Sequence, residues 1–306
     1  MSTVRRVGFF GPVGTFTHEA VATLGDDLDA IPFPTIADVL DAVANGDVEV
    51  GVVPIENAIE GTVSATIDGL LFDHDLFIER EIVIPIRLHL MARDGVALDE
   101  VTEVWSYSHA LAQCRKFMSS LPGVQVANVG STADAARAVS QSDAPVAALA
   151  SRAAASTYGL HILAEDVEDA DDNETRFVVV GRSRVPRPTG HDRTSIVCFQ
   201  DADRPGSLYG ILGRFAARDL NLTKLESRPT KRGLGDYCFV IEFDGHVADD
   251  VIADCLADLQ AHLARVKFLG SYPVTGEAAV TRRDEVGAAR ASARAWIHEI
   301  RSKVSD

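Results

Sequence analysis

The stretch TIADVLDAVANGDVEVGVVPIE, residues 35–56, aligns without gaps on STADAARAVSQSDAPVAALASR, residues 131–152. Each copy opens on a hydroxyl residue, Thr35 or Ser131, with an aspartate three positions on, Asp38 or Asp134. A side-chain oxygen at the N-cap and an acidic group at the third helical position satisfy N–H groups that a helix start leaves without partners. In the first copy Ile36, Val39, Leu40 and Val43 recur at helical spacing, and Asn45-Gly46 supplies a stop. Both copies continue through a short loop with Asp47 or Asp143 into an apolar, strand-like run. Unrelated helix–strand units can share that order, so chance similarity stays open. If the repeat is real, the chain holds two similar lobes. Ligands of open α/β sheets bind beyond the carboxyl ends of strands, so the strand ends Pro54–Asn57 and Ala150–Arg152 should then line one cleft.

Working outward, Val4–Phe10 reads as a strand broken by Gly11-Pro12, and Gly14-Thr15-Phe16-Thr17 leads into a helix from His18. Strand and helix signals alternate up to about Gly181, the pattern of an α/β domain. The segments EIVIPIRLHLM (81–91) and TRFVVVG (175–181) are the natural crossovers between lobes, the first leaving lobe one and the second returning to it. Arg182–Arg193, rich in Pro, Arg and Gly, reads as a linker. Beyond it the order is strand TSIVCFQ (194–200), a helix opened by Pro205, strands over Asn221–Arg228 and 236–243, a helix with Val251, Ile252, Cys255, Leu256 and Leu259 on one face, and a closing strand. That is βαββαβ, a ferredoxin-like unit. We therefore expect a two-lobed region over 1–186, with lobes 1–80 plus 174–186 and 81–173, a second domain over 193–273, and a helical tail over 274–306.

The 306 residues carry a formal charge of -16, which argues against nucleic acid and anionic membranes as partners. No apolar stretch is long enough to span a bilayer, and the N-terminus lacks the apolar core of a signal peptide. Cys114, Cys198, Cys238 and Cys255 are scattered, which reads as reduced structural thiols in a cytoplasmic protein with no metal site.

Several motifs fall in an order that resembles the prephenate dehydratase family. Gly11-Pro12-Val13-Gly14-Thr15-Phe16-Thr17 is similar to that family's N-terminal loop. Pro54-Ile55-Glu56-Asn57 with Glu60-Gly61 is similar to its PIEN…EG segment, and Asn173-Glu174-Thr175-Arg176-Phe177 to its NxTRF signature. The C-terminal unit resembles an ACT domain, with Asp203-Arg204-Pro205-Gly206-Ser207-Leu208 and Glu226-Ser227-Arg228-Pro229 at the two phenylalanine-binding motifs. The likeness covers residues 4 to about 273. It implies a periplasmic-binding-protein-like catalytic region followed by an α+β regulatory domain. It also implies a cofactor-free, decarboxylating dehydration of prephenate to phenylpyruvate. L-phenylalanine is the expected effector, and a homodimer or homotetramer through ACT domains the expected assembly. Arogenate dehydratase is one alternative, and a non-catalytic phenylalanine-responsive sensor another.

By this resemblance Thr175 helps the ring hydroxyl depart, as a positioned donor rather than a strong acid; the bland alternative is a structural strand threonine. Asn57 can donate to a carboxylate or hydroxyl, and Glu56 can orient other groups. Ser106 and Gln113 stay in register with polar family positions, but Tyr107-Ser108-His109 replaces the family's His-Pro-Gln, and His109 is not counted in the site. Arg176 either pairs with a substrate carboxylate or locks an interlobe contact, and Phe177 stands beside it. The Gly11–Thr17 loop offers an anion site at a helix start, with Thr15 and Thr17 as added donors and Phe16 against the ring or anchoring the loop. Ser131, Thr132 and Ser151 are donors from lobe two or plain helix caps. Gly206, Ser207 and Leu208, with Asn221, Leu222, Glu226, Ser227 and Arg228, form the expected effector site.

Overall fold

The computed structural model describes residues 4–200, 204–231, 233, 235–275, 295–296 and 299–303. The chain divides into two compact units, Met1–Val185 with Lys267–Gly270, and Pro186–Val266 with Ser271–Asp306. The first runs β1 (Arg5–Phe10), α1 (Phe16–Ala22), β2 (Leu28–Phe33), α2 (Ile36–Asn45), β3 (Val50–Asn57) and a two-residue β4 (Gly61–Thr62). Helix α3 (Ser64–Asp68) passes into a π-helical turn over Gly69–Asp73, and β5 spans Phe77–Pro85. Then come β6 (His89–Ala92), β7 (Glu103–Ser106), α4 (Ser108–Gln113), α5 (Arg115–Ser119), β8 (Gln125–Asn128) and α6 (Thr132–Gln141). Strands β9 (Val146–Ala150), β10 (His161–Ala164) and β11 (Glu174–Gly181), with α7 (Arg152–Tyr158), complete it.

Two sheets result, and they are the same sheet twice. The first has the order β2-β1-β3-β11-β5, the second β8-β7-β9-β6-β10. In the first, β1 is parallel to β2 and β3, and β11 runs antiparallel between β3 and β5. In the second, β7 is parallel to β8 and β9, and β6 runs antiparallel between β9 and β10. The α2–β3 and α6–β9 units hold equivalent places, so the gapless alignment of 35–56 on 131–152 reflects a structural repeat. In each sheet the inner antiparallel strand, β11 or β6, is the one that arrives by a crossover, giving two lobes joined by two crossovers.

The sequence dictates the layers. Val7, Phe9, Val50, Val52, Phe177 and Val179 pack under α1 through Ala20 and Val21. On the other face α2 lies close to β3, because a Cβ on Gly51 would come within 2.7 Å of Val39 and 2.9 Å of Val43. The second lobe has a core on each face of its sheet, one around Leu88, Leu90, Val104 and Leu149, the other around Met91, Ala135, Ala136 and Ala148. The expected lobe boundary at residue 80 is corrected: β5 pairs with β11 out to Pro85, so the crossing comes at Ile86–Leu88.

The second unit runs β12 (Asp192–Phe199), α8 (Ser207–Ala216), β13 (Leu222–Pro229), β14 (Tyr237–Asp244), α9 (Asp250–His262) and β15 (Arg265–Pro273). Its antiparallel sheet has the order β13-β14-β12-β15, with β13 at one edge. Most of the expected tail over 274–306, and Asp203 of the first effector motif, lie outside the described residues.

Thr35 caps α2 in a reciprocal box: Asp38 N–H donates to Thr35 Oγ1 and Thr35 N–H to Asp38 Oδ2, each at 3.1 Å. Thr35→Ala should lower stability by about 1 kcal/mol. Thermal and urea unfolding of the variant check this.

Candidate active site

The two strands that enclose the candidate chemistry come from opposite ends of the catalytic unit. Strands β3 and β11 pair in antiparallel register, with Thr175 opposite Asn57 and Arg176 opposite Glu56. Asn57 Nδ2 donates to Thr175 Oγ1 at 2.9 Å, to Asn173 Oδ1 at 2.9 Å and to the Glu174 carbonyl at 3.2 Å. Its Oδ1 accepts from the backbone of Ile59 and Glu60, both at 3.0 Å. Three acceptors on one end and two donors on the other fix the orientation of the carboxamide. Asn173 Nδ2 then donates to Gln113 Oε1 at 3.2 Å, carrying the network onto α4 of the second lobe.

Thr175 is buried at 8% exposure and receives a hydrogen bond from Asn57. An oxygen that accepts from an amide keeps its own proton for a ligand, so the hydroxyl is set up as a donor. Asn57, Gln113 and Thr175 are thus brought together. Asn173 lies in the same motif as Thr175, and its role is a missed one: it is 3% exposed and bridges Asn57 to Gln113.

Other expected residues have different work. Arg176 is paired with carboxylates of its own lobe. Its Nη2 lies 2.7 Å and its Nε 3.2 Å from Glu56 Oε2, and its Nη1 3.4 Å from Glu81 Oε2. All three groups belong to the first lobe, and the guanidinium pairs with two carboxylates there. Glu56 accordingly orients Arg176. Phe177, 2% exposed, packs in the first lobe's core. Ser106 is fully buried and donates to the Leu149 carbonyl at 2.6 Å, tying β7 to β9. Ser131 caps α6, accepting from Asp134 N–H and donating to its Oδ2, both at 2.9 Å, and Thr132 opens that helix.

The Gly11–Thr17 loop is partly spent on itself. Gly14 N–H donates to His18 Nδ1 at 3.3 Å, and Thr15 Oγ1 donates to the Pro12 carbonyl at 2.9 Å while accepting from His18 N–H. Thr17 is buried, and Phe16 packs against the cores of both lobes, so it anchors the loop. This loop is also where the second lobe lands. Ser151 caps α7 and donates to the Gly14 carbonyl at 3.2 Å, and Tyr158 donates to the Val13 carbonyl at 2.8 Å. Gly14, at φ +87°, has no Cβ to collide with Ala154, whose Cα would lie 3.2 Å away. Nearby, burial pushes the Glu19 carboxyl above the usual range, and hydrogen bonds from Ser151 and the Ala153 backbone draw it partly back.

In the second unit Gly206 takes φ +87° as the N-cap of α8. Gly206, Ser207 and Leu208 line a pocket of about 410 Å³ with Gln200, Arg204, Leu212 and Phe239. Ser227 pairs with Phe239 across β13–β14, next to this pocket. Glu226 is engaged by Arg228 at 3.2 Å and Lys224 at 3.8 Å on the same strand. Leu222 pairs with Phe243 at the far end of β14, and Asn221 donates to Asp244 at 2.8 Å, so both stand away from the pocket within one chain.

Two crossover-linked lobes with a hydroxyl–carboxamide network at their strand ends, followed by a ferredoxin-like unit with its own pocket, define a two-lobed enzyme with an attached regulatory domain. Residues 7–185 match the prephenate dehydratase family and residues 194–261 the ACT domain, so the chain belongs to the prephenate dehydratase family. Prephenate dehydratase of Amycolatopsis methanolica is 44% identical over 273 residues, 87% of this chain and 88% of that protein. The crystal structure of prephenate dehydratase from Arthrobacter aurescens in complex with L-Phe superposes with TM-score 0.85 at 38% identity, over 97% of this chain and 99% of that one. GqqA, a quorum quenching acylase, superposes with TM-score 0.81 at 29% identity, over 89% of this chain and 98% of that one.

Asn173→Ala removes the bridge while leaving Thr175 in place. Loss of positioning should cost about 10- to 100-fold in kcat/KM for prephenate, with the folded state retained. Steady-state kinetics alongside far-UV circular dichroism check both halves of this expectation.

Proposed function

We propose that this chain converts prephenate to phenylpyruvate, with Thr175 as the hydrogen-bond donor to the departing hydroxyl. The observation that carries the reading is the Asn57–Thr175 hydrogen bond at 2.9 Å inside a domain matched along its length by the family. In the reaction the carboxylate-bearing ring carbon loses carbon dioxide, and its bonding electrons enter the ring. The ring carbon–oxygen bond breaks, and the hydroxyl leaves as water after taking a proton that comes ultimately from solvent. Aromatisation supplies the driving force, so what the protein must provide is orientation and a donor at the leaving oxygen. Asn57 holds Thr175 Oγ1 from one side, which directs the hydroxyl proton outward to the substrate. Thr15 and Ser151, whose hydroxyls bond the Pro12 and Gly14 carbonyls, shape the loop where the lobes meet.

The likeness to an acylase favours a second chemistry on the same scaffold. Amide hydrolysis by a hydroxyl nucleophile needs a base to take its proton. Among the described residues the side-chain partner of Thr175 Oγ1 is Asn57, which donates and cannot serve as that base. The geometry therefore favours the eliminating reaction.

We read the second unit as the L-phenylalanine sensor. Support comes from the Gly206–Leu208 pocket and from the adjacent Ser227. Asn221 and Leu222, remote from that pocket in one chain, would join it from a second copy. The eight-residue edge strand β13 is the natural place for two copies to pair, because an open edge presents unpaired backbone groups. The assembly is then a homodimer or homotetramer. Among the described residues no helix is long and apolar enough to cross a membrane. Four free, buried cysteines fit a reducing compartment such as the cytoplasm.

Turnover of prephenate by the purified chain, followed through phenylpyruvate, is the direct test. Thr175→Ala should lower kcat/KM by about 10²-fold or more, and Thr175→Ser should retain most of it. Preference for arogenate would change the substrate, and inactivity on both from a folded protein would sink the enzymatic reading. Independently, L-phenylalanine at a hundredfold its Kd should stabilise the protein by about 2.7 kcal/mol in thermal shift. Gly206→Val, which cannot easily hold positive φ, should abolish that response. An unchanged melting curve with saturating L-phenylalanine would remove the sensor assignment.

A further inference from the structure

A second link crosses between the lobes, outside the network at Thr175. Glu60 stands in the turn between β3 and β4, and His109 in the first turn of α4. His109 Nδ1 pairs with Glu60 Oε1, and the two side chains remain 51% and 40% exposed, so the pair sits at a rim rather than in a core. Each partner is held from behind by something the site already uses. The Glu60 backbone N–H donates to Asn57 Oδ1 at 3.0 Å, and the other end of that carboxamide holds Thr175. The His109 ring stacks on Tyr107, with centroids 5.0 Å apart and planes 6° from parallel. Gln113 follows four residues later, one helical turn along the same face of α4, and receives Asn173.

Helix α4 thus touches the first lobe twice, through His109 and Gln113, and both contacts lead to Asn57. The residues that make this arrangement, Tyr107-Ser108-His109, are those where the sequence departs from the family pattern. We propose that Glu60 and His109 form a clasp across the mouth of the cleft that holds α4 against the β3–β4 turn and so positions Asn57 and Gln113 around the bound substrate. They are positioning residues: neither touches Thr175, and the clasp acts by favouring the closed arrangement in which substrate is held. The proposal rests on the prephenate reading for its assay.

The test is steady-state kinetics on the full-length protein with prephenate, for Glu60→Gln, His109→Gln, the double variant and His109→Lys. Each single glutamine variant should raise KM about three- to fivefold, near the upper end of what a partly exposed ion pair carries, with kcat within about twofold of the parent. The double variant should be no worse than either single one, because the two side chains act through one contact. His109→Lys places a hydrogen-bond donor opposite Glu60 again and should recover most of the parent KM. Matching thermal midpoints for all variants establish that folding is intact. Unchanged KM in both single variants, multiplied losses in the double variant, or a His109→Lys as impaired as His109→Gln would each overturn the clasp. A parent without turnover points instead to failure of the prephenate reading, so the two failures are told apart by the parent's own activity.

Discussion

The antiparallel pairing of β3 with β11 is the constraint on which the rest of the catalytic unit depends. It joins residues 118 positions apart, Asn57 and Thr175, and it does so by backbone register rather than by flexible side-chain reach. Closing so long a segment carries an entropic cost that grows only slowly with length, and the apolar strands themselves offset it: β11 is buried from Thr175 through Gly181 between β3 and β5. A slip of one residue would invert every side chain on β11. It would place Arg176 where Thr175 stands and take Phe177 and Val179 off the face that packs under α1. The register shift between Arg176 and Phe177 lets the same strand satisfy the site at one end and the core at the other.

The pairing also settles the charge problem. The only arginine of the NxTRF segment is buried between Glu56 and Glu81, and a buried charge persists when its partners are close and its hydrogen bonds are filled. That triad stiffens the strands beneath the site without presenting a net cation to it. The groups presented at Thr175 are a hydroxyl and carboxamides, which donate hydrogen bonds whatever the pH near neutrality. In a chain with a formal charge of -16, the groups that meet at Thr175 are oriented dipoles.

How much of this the sequence carried depends on whether a feature is local or set by register. Caps, helices, the βαββαβ order and the repeat are local patterns, and Thr35, Ser131 and Ser151 cap helices as their spacing indicates. The cluster Asn57, Gln113 and Thr175 was legible only through family motifs, since no spacing rule places residue 57 beside 175. Arg176 and Ser131 looked like ligand donors because an unpaired arginine or serine at a strand end would be one. The partner of Ser131, Asp134, is the one its cap spacing indicates, whereas the partners of Arg176, Glu56 and Glu81, become visible only once the strands are paired. Asn173 was within the motif, but its value lies in touching both Asn57 and Gln113, which is a property of three segments at once.

The duplicated architecture and the single active site pose a final point of physics. The two sheets share strand order and direction, yet the chemistry is one-sided: Asn57 and Thr175 both belong to the first sheet. The equivalent strand end in the second lobe supplies Ser151, which spends its hydroxyl on capping α7 and on the Gly14 carbonyl. The second lobe thus contributes closure rather than reactivity. Its polar contacts to the first include Gln113 to Asn173, Ser151 to Gly14, Tyr158 to Val13 and His109 to Glu60, beside the packing of Phe16 against both cores. Polar contacts of this kind can be exchanged for water at small net cost. Asn173 holds both Asn57 and Gln113, so an opening that separates α4 from the first lobe breaks the Asn173–Gln113 link while the bonds from Asn57 to Thr175, Glu174, Ile59 and Glu60 stay within the first lobe. One residue, Asn173, thus joins the contact between the lobes to the carboxamide that holds Thr175.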